Sequence, residues 1–138
     1  MKYLLDTNVL IWLISGMEYP SLNYVYELQN DDSNYLYYSI ISVWEVAIKH
    51  TKNSKLMEMT PKAFVKACNQ AGIRLLELEE EHVFRLDKLE LKKGAPGHKD
   101  PFDRMLMAQA KYEKMTFITG DAVLKWYKEE NMIFIDKG

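Results

Sequence analysis

Short apolar runs alternate with longer stretches in which apolar residues recur at helical spacing. The short runs are rich in β-branched and aromatic residues and predict strands over 2–5, 35–40, 73–78, 116–119 and 132–135. The second pattern predicts helices over 9–14, 20–29, 42 onward, 60–71, 79–89, 100 onward and 122–128. Strands that alternate with helices indicate an α/β fold, with helices on both faces of a mostly parallel sheet of about five strands.

Two of the predicted helices carry clear start signals. Ser42 is followed three residues later by Glu45, the pattern of a capping box. Asp100 precedes Pro101, so a capping residue is followed by a proline at the first helical position, which proline favours. The pattern therefore predicts that Ser42 and Asp100 are helix N-caps.

Carboxylates stand where apolar runs end or helices begin, and the candidates are Asp6, Glu45, Asp103 and Asp121, with Asp100 as a less secure addition. Each of them also has a local explanation, as a helix cap or as a charge that favours a helix dipole. What they share is a predicted place along one edge of a parallel sheet. Ligands bind at that edge in open α/β sheets, which raises the odds of a common site.

A cluster of carboxylates destabilises a protein through mutual repulsion unless a positive charge lies among them. Oxygen ligands of this kind suit Mg²⁺ or Mn²⁺. Two such cations can activate a water and stabilise the leaving oxygen of a phosphodiester. The sequence therefore predicts a metal site with nuclease chemistry, in which Asp6, Glu45, Asp103 and Asp121 are catalytic and hold the metal.

Polar and basic residues flank these acids and are candidates for contacts to substrate phosphates or to the carboxylates. The basic candidates for phosphate contacts are His98, Lys99 and Arg104. The candidates for hydrogen bonds to the carboxylates or to a metal-bound water are Thr7, Asn8, Ser42 and Thr119. Ordinary loop, turn and capping roles are the alternative for each of them.

Composition narrows the class of protein. The chain has 138 residues, 48% of them hydrophobic and 28% charged, which predicts one domain over 1–138. No apolar run reaches the roughly 20 residues of a membrane span, and the N-terminus lacks the pattern of a signal peptide. A single cysteine, Cys68, excludes an internal disulfide framework and reads as a core residue. We therefore expect a cytoplasmic protein.

The net charge of −2 argues against a protein that binds nucleic acid through charge alone, because such proteins are usually strongly basic. It does not argue against a nuclease whose acids hold cations. Trp12, Trp44 and Trp126, with nine tyrosines, could still stack on bases, although the helical spacing of Trp12 and Trp44 favours core or partner-facing positions. Two isolated histidines, His50 and His82, receive no role.

The order of these motifs resembles that of PIN-domain ribonucleases, and more closely of VapC-type toxins of type II toxin–antitoxin systems. The resemblance covers nearly the whole chain, and its opening segment is Leu4-Leu5-Asp6-Thr7-Asn8. Ser39-Ile40-Ile41-Ser42-Val43-Trp44-Glu45 resembles the second motif, and Thr119-Gly120-Asp121 the last. The most specific stretch is His98-Lys99-Asp100-Pro101-Phe102-Asp103-Arg104. One departure is Asn8, which stands where relatives of this subgroup often have histidine.

The resemblance implies a PIN-like three-layer α/β/α sandwich in which Asp6, Glu45 and Asp103 are the core acids and Asp121 is a more variable fourth. It also implies Mg²⁺- or Mn²⁺-dependent cleavage of RNA, and inhibition by a small antitoxin that covers the acidic groove. Homodimers are common in such families.

Other classes of protein fit less well. A phosphatase with an aspartate nucleophile needs a second aspartate two residues after the first, and Asn8 occupies that place. A response-regulator receiver needs an early acidic pair that this chain lacks. The remaining alternative is a non-catalytic PIN-like module that binds RNA or a protein partner.

Overall fold

The computed structural model describes residues 1–97 and 100–137. The strands are β1 (Lys2–Leu5), β2 (Tyr35–Ser39), β3 (Arg74–Leu76), β4 (Thr116–Thr119) and β5 (Met132–Phe134). The α-helices are α1 (Thr7–Ile14), α2 (Asn23–Asn30), α3 (Ile40–Lys52), α4 (Pro61–Gln70), α5 (Glu80–Phe84) and α6 (Pro101–Glu113). Short 3₁₀ turns cover Pro20–Leu22, Leu86–Lys88 and Ala122–Trp126.

The described strands form one five-stranded parallel sheet in the order β3-β2-β1-β4-β5. The chain builds outward from β1 in one direction through β2 and β3, and in the other through β4 and β5. The direction of winding therefore reverses beside β1, and the crevice at the carboxyl ends of β1 and β4 is where such sheets bind ligands.

Apolar helix faces cover both sides of this sheet. Side chains alternate along β1, so that Tyr3 and Leu5 belong to one hydrophobic cluster and Leu4 to the other. The first cluster includes Phe64 and Cys68 of α4, and the second includes Leu106 of α6. The predicted three-layer α/β/α sandwich is confirmed, as is the core position of Cys68. Across the described residues, no helix has the length and apolar character needed to cross a membrane.

The predicted capping box at Ser42 is wrong. β2 ends at Ser39, whose Oγ accepts a hydrogen bond from the Ile41 N–H at 3.0 Å and caps α3. The N-cap therefore lies three residues before Ser42 and the helix begins at Ile40, since the apolar pair at 40 and 41 belongs to the helix and does not end the strand. Ser42 and Glu45 are then interior positions of α3, and their side chains are available for a site.

Several other boundaries differ from the prediction. Asp6 caps α1, so this helix begins at Thr7, before the predicted start. The predicted helices over 20–29, 79–89 and 122–128 are respectively a 3₁₀ turn with α2, α5 with a 3₁₀ turn, and a 3₁₀ turn alone. The strand predicted over 73–78 is limited to β3. Short elements of this kind are fixed by packing more than by local pattern, so their ends are poorly encoded in periodicity.

Candidate active site

Asp6 lies directly after the central strand β1 and is nearly buried, with 5% of its surface exposed. Its Oδ1 accepts a hydrogen bond from the Thr7 N–H at 2.7 Å, and its Oδ2 accepts one from the Thr119 hydroxyl at 2.6 Å. Burial raises the pKa of Asp6 to about 6, against the lowering effect of these two hydrogen bonds. The negative charges of Glu45 and Asp121 contribute to the same rise. Asp6 thus caps α1 and faces two other acids.

Glu45 extends from α3 to the same crevice. Its Oε1 accepts a hydrogen bond from the Thr7 hydroxyl at 2.6 Å, and its Oε2 forms an ion pair with Lys49 Nζ at 2.9 Å. Thr7 Oγ1 also lies 2.8 Å from Ser42 Oγ. Thr7 therefore contacts one acid through its backbone N–H and another through its hydroxyl, while Ser42 holds the hydroxyl in place.

Asp103 is in the first turn of α6, and 8% of its surface is exposed. Burial raises the pKa of Asp103 to about 8, and the charge of Asp6 is the next largest cause. Asp100, Asp121 and Glu45 raise it further. Because the other predicted acids all act on Asp103, the fold brings residues that are distant in sequence into one electrostatic cluster.

Asp121 follows β4 and borders the cluster through the turn that precedes the last 3₁₀ segment. Its N–H donates to Thr119 Oγ1 at 3.0 Å, and its Oδ1 accepts from the Val123 N–H at 3.0 Å. Gly120 lies between them, and a Cβ there would stand 2.5 Å from Trp12 Cη2. Only glycine lets this turn pass so close to the indole ring.

Asp100 is exposed and caps α6. Its Oδ1 accepts hydrogen bonds from the N–H groups of Phe102 at 2.9 Å and Asp103 at 3.1 Å. The predicted capping role is confirmed, and this role is sufficient to explain the residue. A metal-ligand role for Asp100 stays a prediction.

The basic candidates fare differently. The Arg104 guanidinium donates to the Tyr127 hydroxyl at 3.2 Å and to the Leu86 carbonyl at 3.1 Å. These two bonds tie it to the 3₁₀ turn that begins at Leu86 and to the residue that follows the last 3₁₀ turn. Its predicted contact with substrate phosphates stays a prediction. His98 and Lys99 lie outside the described residues. Asn8 is exposed on α1, and its role also stays a prediction.

Sequence reasoning missed Lys49, which neutralises one oxygen of Glu45. The signal was present, since a lysine four residues after a glutamate in a helix is well placed for an ion pair. It also missed the aromatic pair of Trp44 and Phe102, whose ring centroids are 5.2 Å apart. These two side chains come from distant segments, and only the fold shows that they meet.

A second group of potential ligands surrounds His82, with ligand atoms of Glu79 and Glu113 all within 4.8 Å of one another. His82 Nδ1 accepts a hydrogen bond from the Glu79 N–H at 3.0 Å, and Nε2 lies 3.1 Å from Glu113 Oε2. Both ring nitrogens are already engaged within the protein. We therefore assign His82 a structural role.

The carboxylate cluster fits a divalent cation of the Mg²⁺ type. Its donors are carboxylate oxygens, which such cations prefer. Burial and repulsion raise the pKa values of Asp6 and Asp103, and a cation among them would offset both effects. Thr7 and Thr119 fix the orientation of the carboxylates, as the partners of metal ligands commonly do.

Comparison with known proteins identifies the family. Residues 3–129 match the PIN domain, so the chain belongs to the PIN-domain family. No curated protein sequence matches it significantly.

Solved structures show the same fold. A chain of VapBC2 from Rickettsia felis, bound to a DNA fragment from their promoter, has a TM-score of 0.72 and 17% identity, over 99% of this chain and 100% of that chain. A chain of a toxin–antitoxin complex from Klebsiella pneumoniae has a TM-score of 0.58 and 17% identity, over 95% of both chains. A chain of VapBC-1 from nontypeable Haemophilus influenzae has a TM-score of 0.58 and 18% identity, over 88% of this chain and 87% of that chain.

Proposed function

We propose that this PIN-domain protein is a Mg²⁺- or Mn²⁺-dependent endoribonuclease that acts as the toxin of a toxin–antitoxin pair. Residues 1–138 would form one domain that acts in the cytoplasm as a homodimer. The observation that carries the proposal is the electrostatic coupling of four acids from distant parts of the sequence. Burial raises the pKa of Asp103 to about 8, and the charges of Asp6, Asp121 and Glu45 raise it further.

Two groups of residues have different proposed roles: the acids hold the cation, and the threonines orient the acids. Asp6, Glu45, Asp103 and Asp121 would hold the metal, which when bound supplies Lewis-acid catalysis at the phosphodiester. Thr7 orients Asp6 and Glu45 together, and Thr119 orients the second oxygen of Asp6. Positioning of this kind matters because catalysis depends on ligands that do not reorganise during the reaction.

The partner is proposed from the relatives. The structures from R. felis and H. influenzae are VapBC assemblies, and the one from K. pneumoniae is a toxin–antitoxin complex. A small antitoxin that covers the acidic groove would neutralise this protein. RNA is the proposed substrate because the motifs of the chain resemble those of PIN-domain ribonucleases, and the acids with a divalent cation suit phosphodiester cleavage.

Cleavage of a mixed RNA pool tests the activity. We expect cutting with Mg²⁺ or Mn²⁺, none with chelator, and a loss of at least about 100-fold in Asp6→Asn and Asp103→Asn, since each removes a charged ligand with little change of shape. Asp87→Asn, an exposed acid outside the cluster, serves as the matched control. Full activity in both cluster variants would contradict the mechanism.

Two further readouts separate the toxin role from the alternatives. Expression of the protein should arrest growth, and expression of Asp103→Asn should not. A folded, metal-loaded protein that cuts no RNA would favour a non-catalytic PIN-like module that binds RNA or a partner. Growth arrest by both proteins would contradict the nuclease as the cause of toxicity.

A further inference from the structure

A mostly apolar cleft of about 480 Å³ opens between α3, α6 and the segments that follow β3 and α5. Its volume is within the range of small-ligand pockets, roughly 300–1,000 Å³. Its lining consists of Ile41, Trp44, Leu78, Leu86, Pro101, Phe102, Arg104 and Met105. The cleft is therefore a binding surface that the carboxylate chemistry does not explain.

The aromatic pair in this cleft is joined directly to the acids. Trp44 immediately precedes Glu45 on α3, and Phe102 immediately precedes Asp103 on α6. The two rings meet edge to face, with an interplanar angle of 72° and centroids 5.2 Å apart. Glu45 and Asp103, whose charges interact, are the next residues along the same two helices, so the aromatic pair and these two acids occupy the same junction between α3 and α6.

Trp44 is 57% exposed, so more than half of its surface is open to a ligand. Its contact with Phe102 fixes the ring without covering it. An exposed indole held in place by a second aromatic ring is a preformed stacking surface, since its orientation no longer has to be fixed when a ligand binds.

We propose that the cleft is a nucleobase subsite, in which one base of single-stranded RNA stacks on Trp44 while the adjoining phosphate lies at the carboxylates. This inference rests on the proposed nuclease function and names how the same site takes its substrate. Base–aromatic stacking needs no particular sequence, because every base has a π face. Overall charge is no obstacle, since stacking supplies affinity that the net charge of −2 cannot.

The polar side of the cleft favours a base over an apolar protein segment. The Arg104 guanidinium lines it and is held by the Tyr127 hydroxyl and the Leu86 carbonyl. A planar cation fixed in an apolar wall suits a planar, polar-edged ligand, to which it offers both stacking and hydrogen bonds. A leucine-rich segment would offer no side-chain acceptor to the other N–H groups of that guanidinium, whereas the edge of a base would.

RNA binding by a cleavage-deficient protein tests the subsite. A labelled single-stranded RNA of mixed sequence is titrated with Asp103→Asn protein, and with the same protein carrying Trp44→Ala, Trp44→Phe or Tyr24→Ala. Tyr24 is the matched control, because it is an exposed aromatic residue that contacts Tyr3 near the amino end of β1, whereas the acids lie at the carboxyl ends of the strands. Circular dichroism and thermal melting verify that each variant folds.

Trp44→Ala should weaken RNA binding by about 5- to 150-fold, the loss of one base stack, while Trp44→Phe keeps most of the affinity and Tyr24→Ala keeps all of it. The same proteins are then titrated with a series of RNAs that each lack one base. One of these RNAs should bind the protein with intact Trp44 as weakly as complete RNA binds Trp44→Ala, and Trp44→Ala should weaken the binding of that RNA no further. That cancellation would show a direct contact between the base and the indole.

Equal affinities for Trp44→Ala and Tyr24→Ala, or no RNA binding at all, would overturn the subsite. A change in oligomeric mass or in antitoxin binding with unchanged RNA affinity would also overturn it, and would assign the cleft to a protein partner. Failure of the nuclease is a separate outcome: a protein with intact Asp103 that binds RNA through Trp44 but does not cut it with Mg²⁺ or Mn²⁺ contradicts the activity alone.

Discussion

At the scale of single residues, Thr7 links two acids that are distant in sequence. Its N–H donates to Asp6 and its hydroxyl donates to Glu45 at 2.6 Å, from a position that is almost fully buried. A hydrogen bond to a charged acceptor in such a place is worth about 1.5–3 kcal/mol. The Thr7 hydroxyl therefore fixes one oxygen of Glu45 beside Asp6.

Thr7→Val tests this dependence, because valine keeps the shape and removes the hydroxyl. We expect a loss of about 1–3 kcal/mol in the free energy of unfolding and a lower kcat for RNA cleavage. Thr51→Val is the control, since the Thr51 hydroxyl is exposed and donates to the Ala47 carbonyl within α3. Equal effects of the two substitutions on kcat would contradict the positioning role of Thr7.

Gly120 is the second residue whose identity is set by the site. A Cβ at this position would stand 2.5 Å from Trp12 Cη2 and 2.9 Å from Cζ3, and the ring is also packed edge to face on Tyr19. We expect Gly120→Ala to destabilise the protein by about 1–3 kcal/mol through overpacking.

The rescue experiment makes the Gly120 prediction specific. Trp12→Leu removes the ring atoms that the new methyl group meets, so the double variant should lose less stability than the sum of the two single variants. Denaturant unfolding of all three measures this. Strict additivity would show that the strain lies in the backbone and not against Trp12.

At the scale of elements, a chain of buried polar side chains joins the two helices that carry core acids. Ser39 Oγ, at the N-terminus of α3, donates to Gln109 Oε1 of α6 at 2.5 Å. Gln109 Nε2 donates to the Glu77 carbonyl at 3.4 Å and lies 3.5 Å from His82 Nδ1. These contacts fix α3, which carries Glu45, relative to α6, which carries Asp103.

Gln109→Leu removes this link while keeping the volume of the side chain. The Ser39 hydroxyl then loses its buried acceptor, and we expect a cost of about 1–3 kcal/mol together with a reduced kcat. Gln29→Leu is the matched control, because the Gln29 amide donates to the Ala71 carbonyl at 2.8 Å and so links α2 to the end of α4 instead of α3 to α6. A stability loss with unchanged kcat in Gln109→Leu would show that the link only stabilises the fold.

The elements also show what could be predicted from the sequence. The strands and the long helix α6 were predictable, because β-formers, the Asp100 cap and Pro101 all favour the same boundaries. The start of α3 was not, because Ser39 and Ser42 are both good caps and only the packing of β2 decides between them. The role of His82 was hidden for a similar reason, since its partners Glu79 and Glu113 are brought together by the fold.

The acids illustrate the same division. Asp6 and Asp121 were visible as acids after strands, and Glu45 and Asp103 as acids in helices. The structure couples the charges of all four, and their shared metal site stays a prediction. The contacts of Thr7 and Thr119 with these acids were anticipated only as a general class. The positions of Lys49, Trp44 and Phe102 around the site were not, because long-range pairing of side chains leaves no periodic signal in a single sequence.

At the scale of the whole molecule, the acid cluster lowers the stability of the metal-free protein. Asp103 has a pKa of about 8 in the folded protein, against an ordinary value of 3.8. Between these values the folded protein holds a proton that the unfolded chain has lost, so stability falls as pH rises through this interval. Asp6, with a pKa of about 6, contributes in the same direction at its lower end.

The pH dependence can be measured directly by urea unfolding in the presence of chelator. We expect the free energy of unfolding of the metal-free protein to decrease between pH 5 and pH 8. Asp103→Asn should show a clearly smaller decrease and should be more stable than the unaltered protein at pH 8. An increase in stability over this range, or identical slopes for the two proteins, would contradict the electrostatic account.

Calorimetric titration of the protein with Mn²⁺ at pH 7, repeated in two buffers of different ionisation enthalpy, tests the central claim most directly. Asp103 is mostly protonated at this pH in the metal-free protein, so metal binding should release about one proton per protein molecule. Asp103→Asn should bind Mn²⁺ far more weakly and release almost no proton. Absence of Mn²⁺ binding, or equal binding and proton release by both proteins, would contradict a metal centre built on these carboxylates.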